Sequence, residues 1–197
     1  MKKVKLALIA FICTMFIVPI NTVNAEGNEI IEEEVFQFEE PVFIEQTKEE
    51  FVSDIAEINS ITYEEALARV DAEDAKGISE AVARGERLPR ALKLYYGYFR
   101  GTKTESANLF LSIGITYGVY ASYYLPTGST SWSSRKYNKI HDVFVNAATG
   151  STVLSVEHKA ANITSQYRIQ FDATYLIKSN VPFQSYNRRS VRTYFDL

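Results

Sequence analysis

The sequence predicts an α+β protein: an acidic N-terminal helical segment followed by a mainly antiparallel β-sandwich or partly open β-barrel. Three observations support this fold class. Two capping-box patterns with helical apolar spacing occur before residue 88. From residue 89 onward helical spacing stops, and 12 of the 13 tyrosines lie at or after Tyr95. Two long segments in this second part alternate apolar and polar residues with a period of two.

Residues 1–25 have the pattern of a secretory signal peptide. Three lysines precede an apolar run from Leu6 to Ile20, and a small-residue cleavage pattern ends at Ala25. The apolar run is shorter than the ~20 residues that a spanning helix needs. We therefore expect a secreted, extracellular mature chain with no transmembrane segment. Its lack of cysteine (Cys13 lies in the apolar run) and the Lys-rich signal are typical of export by a Gram-positive bacterium.

The mature chain is divided into two parts of opposite charge. Residues 26–83 contain 18 Asp and Glu against 3 Lys and Arg, a net charge of −15. Residues 84–197 contain 6 Asp and Glu against 15 Lys and Arg, a net charge of +9. This asymmetry predicts an interaction segment or an internal mask. The predicted domains are an acidic, mostly disordered linker at 26–46, a helical segment at 47–88, and a basic, Tyr-rich β domain at 89–197.

The helical segment is predicted to be a pair of helices. Thr47 with Glu50, and Thr62 with Glu65, form the two capping boxes, which predict helices at 47–59 and 62–84. The expected apolar stripes consist of Phe51, Ile55 and Ile58 in the first helix and of Leu67, Val70, Ile78 and Val82 in the second. Gly85 is the expected end of the second helix. The acidic residues are interpreted mainly as a solvated face.

The segment Asn108–Tyr124, NLFLSIGITYGVYASYY, is the clearest strand prediction. Its odd-numbered residues are apolar throughout, whereas its even-numbered residues are small or polar in the middle. A strand that enters a membrane alternates in the same way, but it needs an equally apolar neighbour. The polar and basic stretch LPTGSTSWSSRKYNK follows instead. We therefore interpret the segment as a core strand.

Further strands bring the predicted number to about six. Ile163–Ile177 alternates and is predicted to be one strand. A hairpin is predicted from Val143 to Val156, with a turn at 146–150. Short strands are predicted at 92–100 and 191–195.

No complete catalytic or metal motif occurs. There is no nucleophile elbow, no phosphate loop, and no cysteine in the mature chain. The predicted hairpin brings His141 and His158 close together, but the acidic neighbours of each point to the opposite face, so no metal site is predicted. Glu157 and Asp172 are the acidic pair that strand pairing would bring together as glycosidase carboxylates. No catalytic residue and no cofactor are assigned.

The candidate binding residues are basic and interleaved with aromatic residues. The first group consists of Trp132, Arg135, Lys136 and Lys139, and the second of Arg188, Arg189 and Arg192. Trp132 lies on a hydroxyl-rich loop, as an aromatic stacking platform for a sugar or a partner would. For a secreted chain, such a composition predicts contact with an anionic wall polymer or lipid headgroup. Solubilising surface charge is the alternative interpretation.

The segment YGVYASYYLPTGSTSWSS, residues 117–134, resembles lactococcin-type secreted bacteriocins. These carry a Tyr-Gly, Ser-x-Tyr-Tyr and Ser-Ser arrangement in a small β domain, and the resemblance implies an antimicrobial role. The Gly-Gly-Gly and Trp signatures expected before this arrangement are absent, and the acidic helical segment is additional.

Three classes of function remain open at this stage. The first is a secreted, non-enzymatic β module that binds an anionic cell-surface or wall component, with the acidic helical segment as mask or tether. The second is a toxin or bacteriocin-like protein whose acidic segment is a removable pro-region, cut near Arg84, Arg87 and Arg90. The third is a hydrolase, which would require convergent acids or a Ser–His contact in the fold. The sequence makes no prediction of oligomeric state.

Overall fold

A computed structural model describes residues 36–108, 111–129, 131–148, 150–180 and 186–197. The side chains of residues 36–40, 106–108, 111–112 and 132 are outside this description. The predicted signal peptide and residues 26–35 of the predicted linker lie outside the described residues, as does the side chain of Trp132.

The described residues form two helices and two antiparallel sheets. The strands are β1 (Phe36–Gln46), β2 (Leu94–Asn108), β3 (Leu111–Tyr124), β4 (Lys136–Ala147), β5 (Ser151–Ser165), β6 (Arg168–Ser179) and β7 (Asn187–Asp196). The helices are α1 (Lys48–Asn59) and α2 (Tyr63–Ala83), and a short 3₁₀ turn covers Trp132–Ser134. One sheet has the order β1-β2-β3-β4 and the other β5-β6-β7. The α+β class is confirmed, and the two sheets are not closed into one.

Both predicted capping boxes are formed. The hydroxyl of Thr47 accepts a hydrogen bond from the Glu50 amide, and the Glu50 carboxylate accepts one from the Thr47 amide. Thr62 and Glu65 repeat this exchange at the start of α2. At the other end of α2, Gly85 has a φ of +80°, the left-handed conformation that commonly ends a helix. The helix boundaries therefore follow the sequence signals closely.

The linker prediction is wrong for residues 36–46, which form β1 at the edge of the four-stranded sheet. β1 pairs antiparallel with β2, and its register shifts between Glu39 and Val42, around Pro41. A proline is tolerated at such a bulge on an edge strand. The Phe43 ring lies 4.8 Å from the Phe99 ring and 5.4 Å from the Tyr123 ring. The apolar patches of this segment are thus strand residues that contact the sheet.

The four-stranded sheet lies between the helices and the three-stranded sheet. The odd-numbered face of β3 is buried as predicted, and it shares one core with β6 and β7. Ring contacts join the sheets there, among them Tyr117 with Phe171 at 5.3 Å and Phe99 with Phe195 at 5.1 Å. The opposite face of the sheet is covered by α1 and α2 through Phe51, Ile55 and Val70.

Two strand predictions need correction. Ile163–Ile177 is not one strand, because the chain turns at residues 166–167 and β5 and β6 form a hairpin. Val143–Val156 is not a paired hairpin either, because β4 belongs to the four-stranded sheet and β5 to the other. The predicted turn at 146–150 is therefore the passage between the sheets. Alternation alone cannot distinguish a hairpin from such a passage, since both place side chains on alternating faces.

Neither described helix combines the length and the apolar character needed to cross a membrane.

Gly77 tests how firmly α2 is packed against β4. A Cβ atom at Gly77 would lie 2.6 Å from Asn138 Oδ1 and 2.7 Å from the Asn138 carbonyl oxygen. In an undocked helix, Gly77→Ala would stabilise by about 1 kcal/mol through helix propensity. In the packed helix we expect a loss of about 1–2 kcal/mol instead, because overpacking outweighs that gain. Chemical denaturation measures the sign.

Ser79→Ala is the matched control, since Ser79 is exposed on the same helix. We expect it to change the free energy of unfolding by less than about 0.5 kcal/mol. A stabilising Gly77→Ala would contradict the packing of α2 on the sheet.

Candidate functional site

The first predicted basic group lies where β3 is connected to β4. The guanidinium of Arg135 is placed over two aromatic rings, 5.3 Å from the centre of Phe43 and 5.5 Å from that of Tyr123. Cation–π contact of this kind orients an arginine without neutralising its charge. Aromatic side chains of β1 and β3 therefore fix the position of the Arg135 guanidinium.

Lys136 and Lys139 instead face the acidic helix. Lys136 Nζ lies 3.6 Å from Glu86 Oε2, and Lys139 Nζ lies 3.3 Å from Glu80 Oε1 and 3.8 Å from Glu73 Oε2. Burial alone would raise the pKa of Glu86, but hydrogen bonds from Tyr124 and Arg84 and the charge of Lys136 together lower it. The carboxylate of Glu86 therefore stays ionised, and the positive charges of both lysines are partly compensated within the protein.

The second predicted basic group is divided between the two faces of β7. Arg188 and Arg192 are exposed on the outer face of the three-stranded sheet. Arg188 Nη2 lies 2.7 Å from Glu157 Oε2, and Arg192 Nε donates to Asp172 Oδ1. The hydrogen bond from Arg192 is the main reason that the pKa of Asp172 is lowered. Both outward arginines thus have a carboxylate partner.

Arg189 points the other way, towards the space between the sheets. Its Nε lies 2.6 Å from Glu105 Oε2, and Lys103 Nζ lies 2.9 Å from Glu105 Oε1. Lys103 also donates to the carbonyl oxygen of Ser190 at 3.0 Å. Consecutive strand residues point to opposite faces, so Arg188, Arg189 and Arg192 do not form one surface. Arg189 belongs to an ion-pair cluster that joins β2 to β7.

A recess lies where the α2–β2 connection meets the β3–β4 connection. Its volume is about 480 Å³, and Arg90, Lys93, Tyr95, Thr127 and Ser129 are among its lining residues. Arg90 and Lys93 are exposed and make no ion pair with any described residue. Among the described lining residues there is no carboxylate. We call this site the basic recess.

An aromatic side chain holds Lys93, one of the two cations of the basic recess, in place. Lys93 Nζ lies 4.7 Å from the centre of the Tyr95 ring, and Tyr95 in turn stacks on Tyr123 at 5.6 Å. This contact limits the conformational entropy that the long Lys93 side chain loses on binding a ligand.

Two other recesses in the described part of the chain have a different charge. One of about 610 Å³ is lined by acidic residues, including Glu45, Glu49 and Glu50. One of about 310 Å³ combines Asp54 and Glu57 with Arg100. No group of three or more His, Cys, Asp or Glu among the described residues is arranged to hold a metal ion.

The predicted proximity of the two histidines is wrong. His141 on β4 is buried against α2, whereas His158 on β5 is exposed and opposite Thr174 of β6. The ladder that would have joined them does not exist, because β4 and β5 lie in different sheets.

His141 belongs to a buried polar network centred on Asp74, which is only 4% exposed. Asp74 Oδ1 lies 2.5 Å from Ser122 Oγ, 3.0 Å from His141 Nε2 and 3.1 Å from Asn138 Nδ2; its Oδ2 lies 2.9 Å from Tyr96 Oη. We call these five residues the Asp74 network. Burial by itself would raise the pKa of Asp74, but hydrogen bonds from His141, Ser122 and Tyr96 lower it. An ionised carboxylate on α2 is thus bound by three strands.

The Asp74 network contains a Ser–His contact, the feature that the hydrolase hypothesis requires. Its geometry differs from that of a nucleophilic triad. His141 Nε2 contacts both Ser122 Oγ, at 3.1 Å, and Asp74 Oδ1, and its Nδ1 has no hydrogen-bond partner among the described residues. In a triad the carboxylate holds the ring nitrogen opposite the one that faces the serine. Ser122 is also fully buried. These contacts favour a structural role.

The sequence interpretation missed three residues of these sites. Asp74 was grouped with a solvated acidic face, although it continues the stripe of small residues Ala66, Val70 and Gly77 that α2 buries. Arg90 was interpreted as part of a protease-sensitive joint, and Lys93 was not singled out. The signal for Lys93 is its position two residues before Tyr95 and directly before β2, because residues two apart in an extended chain point to the same side.

Comparisons with protein-family models, with curated proteins and with solved structures give no match to this chain. The bacteriocin resemblance of residues 117–134 therefore remains a prediction from a short segment.

Removing the Asp74 carboxylate is expected to destabilise the fold. Asp74→Ala leaves buried donors without an acceptor, and we expect a loss of about 3–5 kcal/mol in the free energy of unfolding. Asp71→Ala is the control, because its ion pair with Lys48 is exposed and should contribute less than about 1 kcal/mol. Thermal unfolding followed by circular dichroism compares the two; equal losses would contradict the role of the network.

The stabilisation by Asp74 is expected to depend on pH. A lowered folded-state pKa gives stability that is present above the unfolded value and lost as the pH falls through the folded value. The difference in unfolding free energy between the wild type and Asp74→Asn should thus be largest near neutral pH and shrink below about pH 4. Glu86, Asp172 and Asp196 also have lowered pKa values and so also make stability depend on pH. Their contributions cancel when the unfolding free energies of the two proteins are subtracted, because both proteins contain these residues. A difference that grows with acid would contradict this assignment.

Proposed function

We propose that this chain is a secreted, non-enzymatic module that binds an anionic component of a cell surface or wall. The observation that carries the proposal is the pair Arg90 and Lys93, two exposed cations that line a recess without a carboxylate and form no ion pair with a described residue. Positive charge that the protein does not compensate is available to attract an anion.

The distribution of ion pairs supports this location over the other predicted residues. Lys136 and Lys139 face carboxylates of the α2 segment, and Arg188 and Arg192 face carboxylates on their own sheet. Exposed pairs of this kind add little stability, but each one reduces the local positive potential. The basic end of the molecule, formed by Arg90 and Lys93, is therefore the best-supported binding surface.

The acidic helical segment is proposed to act as a fixed mask. Its carboxylates compensate Lys136 and Lys139, so anion binding is confined to the basic end. The packing of α1 and α2 on the sheet supports a permanent layer over a removable pro-region, because removing it would expose Tyr96 and Tyr120 and leave His141 without Asp74. The face-to-face contacts of the two sheets support a β-sandwich over a partly open barrel.

The proposal is tested by removing charges in matched pairs. Arg90→Gln with Lys93→Gln should weaken binding to anionic vesicles and to a soluble polyanion about 10- to 30-fold, since each cation near an anionic surface is worth ~1 kcal/mol. Arg188→Gln with Arg192→Gln makes the same change in net charge on the outer face of the three-stranded sheet. Sedimentation with vesicles and titration with polymer measure both.

The control pair should cost less than about threefold, and binding of the wild type should weaken as salt rises. Equal losses of affinity for the two pairs of substitutions would show that the binding surface is not at the basic end. A wild type that binds neither vesicles nor polymer at low salt would contradict the proposed function itself.

A further inference from the structure

The basic recess is more than a charged patch, because it is concave and lined with hydroxyl groups. Its floor and walls are formed by Pro89, Ala91, Leu125 and Pro126, and its volume of about 480 Å³ lies within the range of small-ligand sites. Thr127 and Ser129 add hydroxyl groups to the same lining. A polymer that carries only phosphate groups would contact only the cations of such a site. The hydroxyl and apolar lining residues therefore indicate a ligand that also has hydroxyl groups and carbon atoms.

The shape of the recess is held by contacts between its two connections. Thr127 Oγ1 lies 3.4 Å from the carbonyl oxygen of Arg87, and the Ser129 amide donates to the Pro126 carbonyl oxygen at 3.1 Å. Gly128 occupies the turn with a φ of +82°, which glycine adopts without strain. Tyr124 Oη donates to Glu86 Oε2 at 2.6 Å and so holds the α2–β2 connection to the end of β3. The recess is thus formed before any ligand binds.

We propose that the basic recess binds a polyol phosphate: a phosphodiester whose alcohol units carry hydroxyl groups or sugars. Arg90 and Lys93, the latter held over the Tyr95 ring, bind the phosphate, and the hydroxyl groups of Thr127 and Ser129 bind the polyol. Mixed cationic, hydroxyl and aromatic linings suit ligands with alternating charge and hydroxyl groups. This inference rests on the proposed function and specifies its ligand.

A soluble or wall-linked polymer is favoured over a bilayer as the source of this chemistry. The exposed large apolar residues of the described chain, such as Val42, Leu154 and Tyr186, all lie outside the two connections that form the recess. Insertion into a membrane interface needs apolar side chains beside the cations. The described apolar residues of the recess, Pro89, Ala91, Leu125 and Pro126, are small or partly buried, so the concave site fits a single chain of polymer better than a bilayer.

The test fills the recess without changing its charge. Ala91 is exposed and lines the recess, so Ala91→Phe should block it, whereas Ala72→Phe adds the same side chain on an exposed position of α2. The probes are a short synthetic poly(glycerol phosphate), inorganic polyphosphate of equal charge, and vesicles that contain phosphatidylglycerol. Circular dichroism confirms that both variants are folded, and the full chain is titrated with each probe by calorimetry.

We expect Ala91→Phe to weaken binding of poly(glycerol phosphate) by about tenfold or more, while Ala72→Phe leaves it unchanged. Ser129→Ala should weaken binding of the same probe but not binding of polyphosphate.

Equal affinity of the wild type for the two polymers would overturn the polyol assignment, and unchanged binding by Ala91→Phe would overturn the assignment of the recess as the binding site. Binding to vesicles alone would overturn the choice of a polymer. In each of these cases a loss caused by Arg90→Gln with Lys93→Gln would still support the proposed function, whereas a wild type that binds none of the probes would contradict both.

Discussion

The Asp74 carboxylate, buried between α2 and the four-stranded sheet, is the interaction on which the rest of the structure depends. A buried ionised group is costly unless it is fully hydrogen-bonded, and here Tyr96, Ser122, Asn138 and His141 supply four donors from β2, β3 and β4. All four side chains lose this shared acceptor if the helix moves away, so the network sets the position of α2. The apolar contacts of Phe51, Ile55 and Val70 add stabilisation over the same face but are less directional.

The position of α2 in turn determines the basic end of the molecule. The helix ends at Ala83, and the chain that follows passes Glu86, which accepts a hydrogen bond from Tyr124 and lies near Lys136. Residues 89–93 then form one side of the basic recess before β2 begins. Glu73 and Glu80 of α2 compensate Lys139, and Glu86 after the helix compensates Lys136, only because α2 is held against β4. One packing arrangement therefore both shapes the recess and leaves Arg90 and Lys93 as its uncompensated cations.

Local signals in the sequence predicted the helices well, because a capping box such as Thr47 with Glu50 is satisfied within a few residues. The alternation of β3 likewise predicted its buried face. The predictions from sequence failed for segments whose structure depends on which strand they pair with. The segment at 36–46 has the composition of a disordered linker, yet it pairs with β2, and the passage from β4 to β5 has the pattern of a hairpin. The burial of Asp74 could not be predicted for a related reason. The helical segment contains many exposed acidic residues, and only tertiary contacts distinguish the buried one from them. The candidate cations were identified by residue type, but their ion pairs, such as those of Lys139 with Glu73 and Glu80, follow from the fold alone.

The central claim is that the acidic helices and the four-stranded sheet form one cooperative unit. Native-state amide hydrogen exchange on the full chain tests it most directly, because it reports the free energy of opening for each element separately. The account predicts that the slowest amides of α2 between Val70 and Ala81 open with the same free energy as those of β3, to within about 1 kcal/mol. Exchange from α2 at a free energy several kcal/mol below that of β3 would show a separable segment, and would contradict the account.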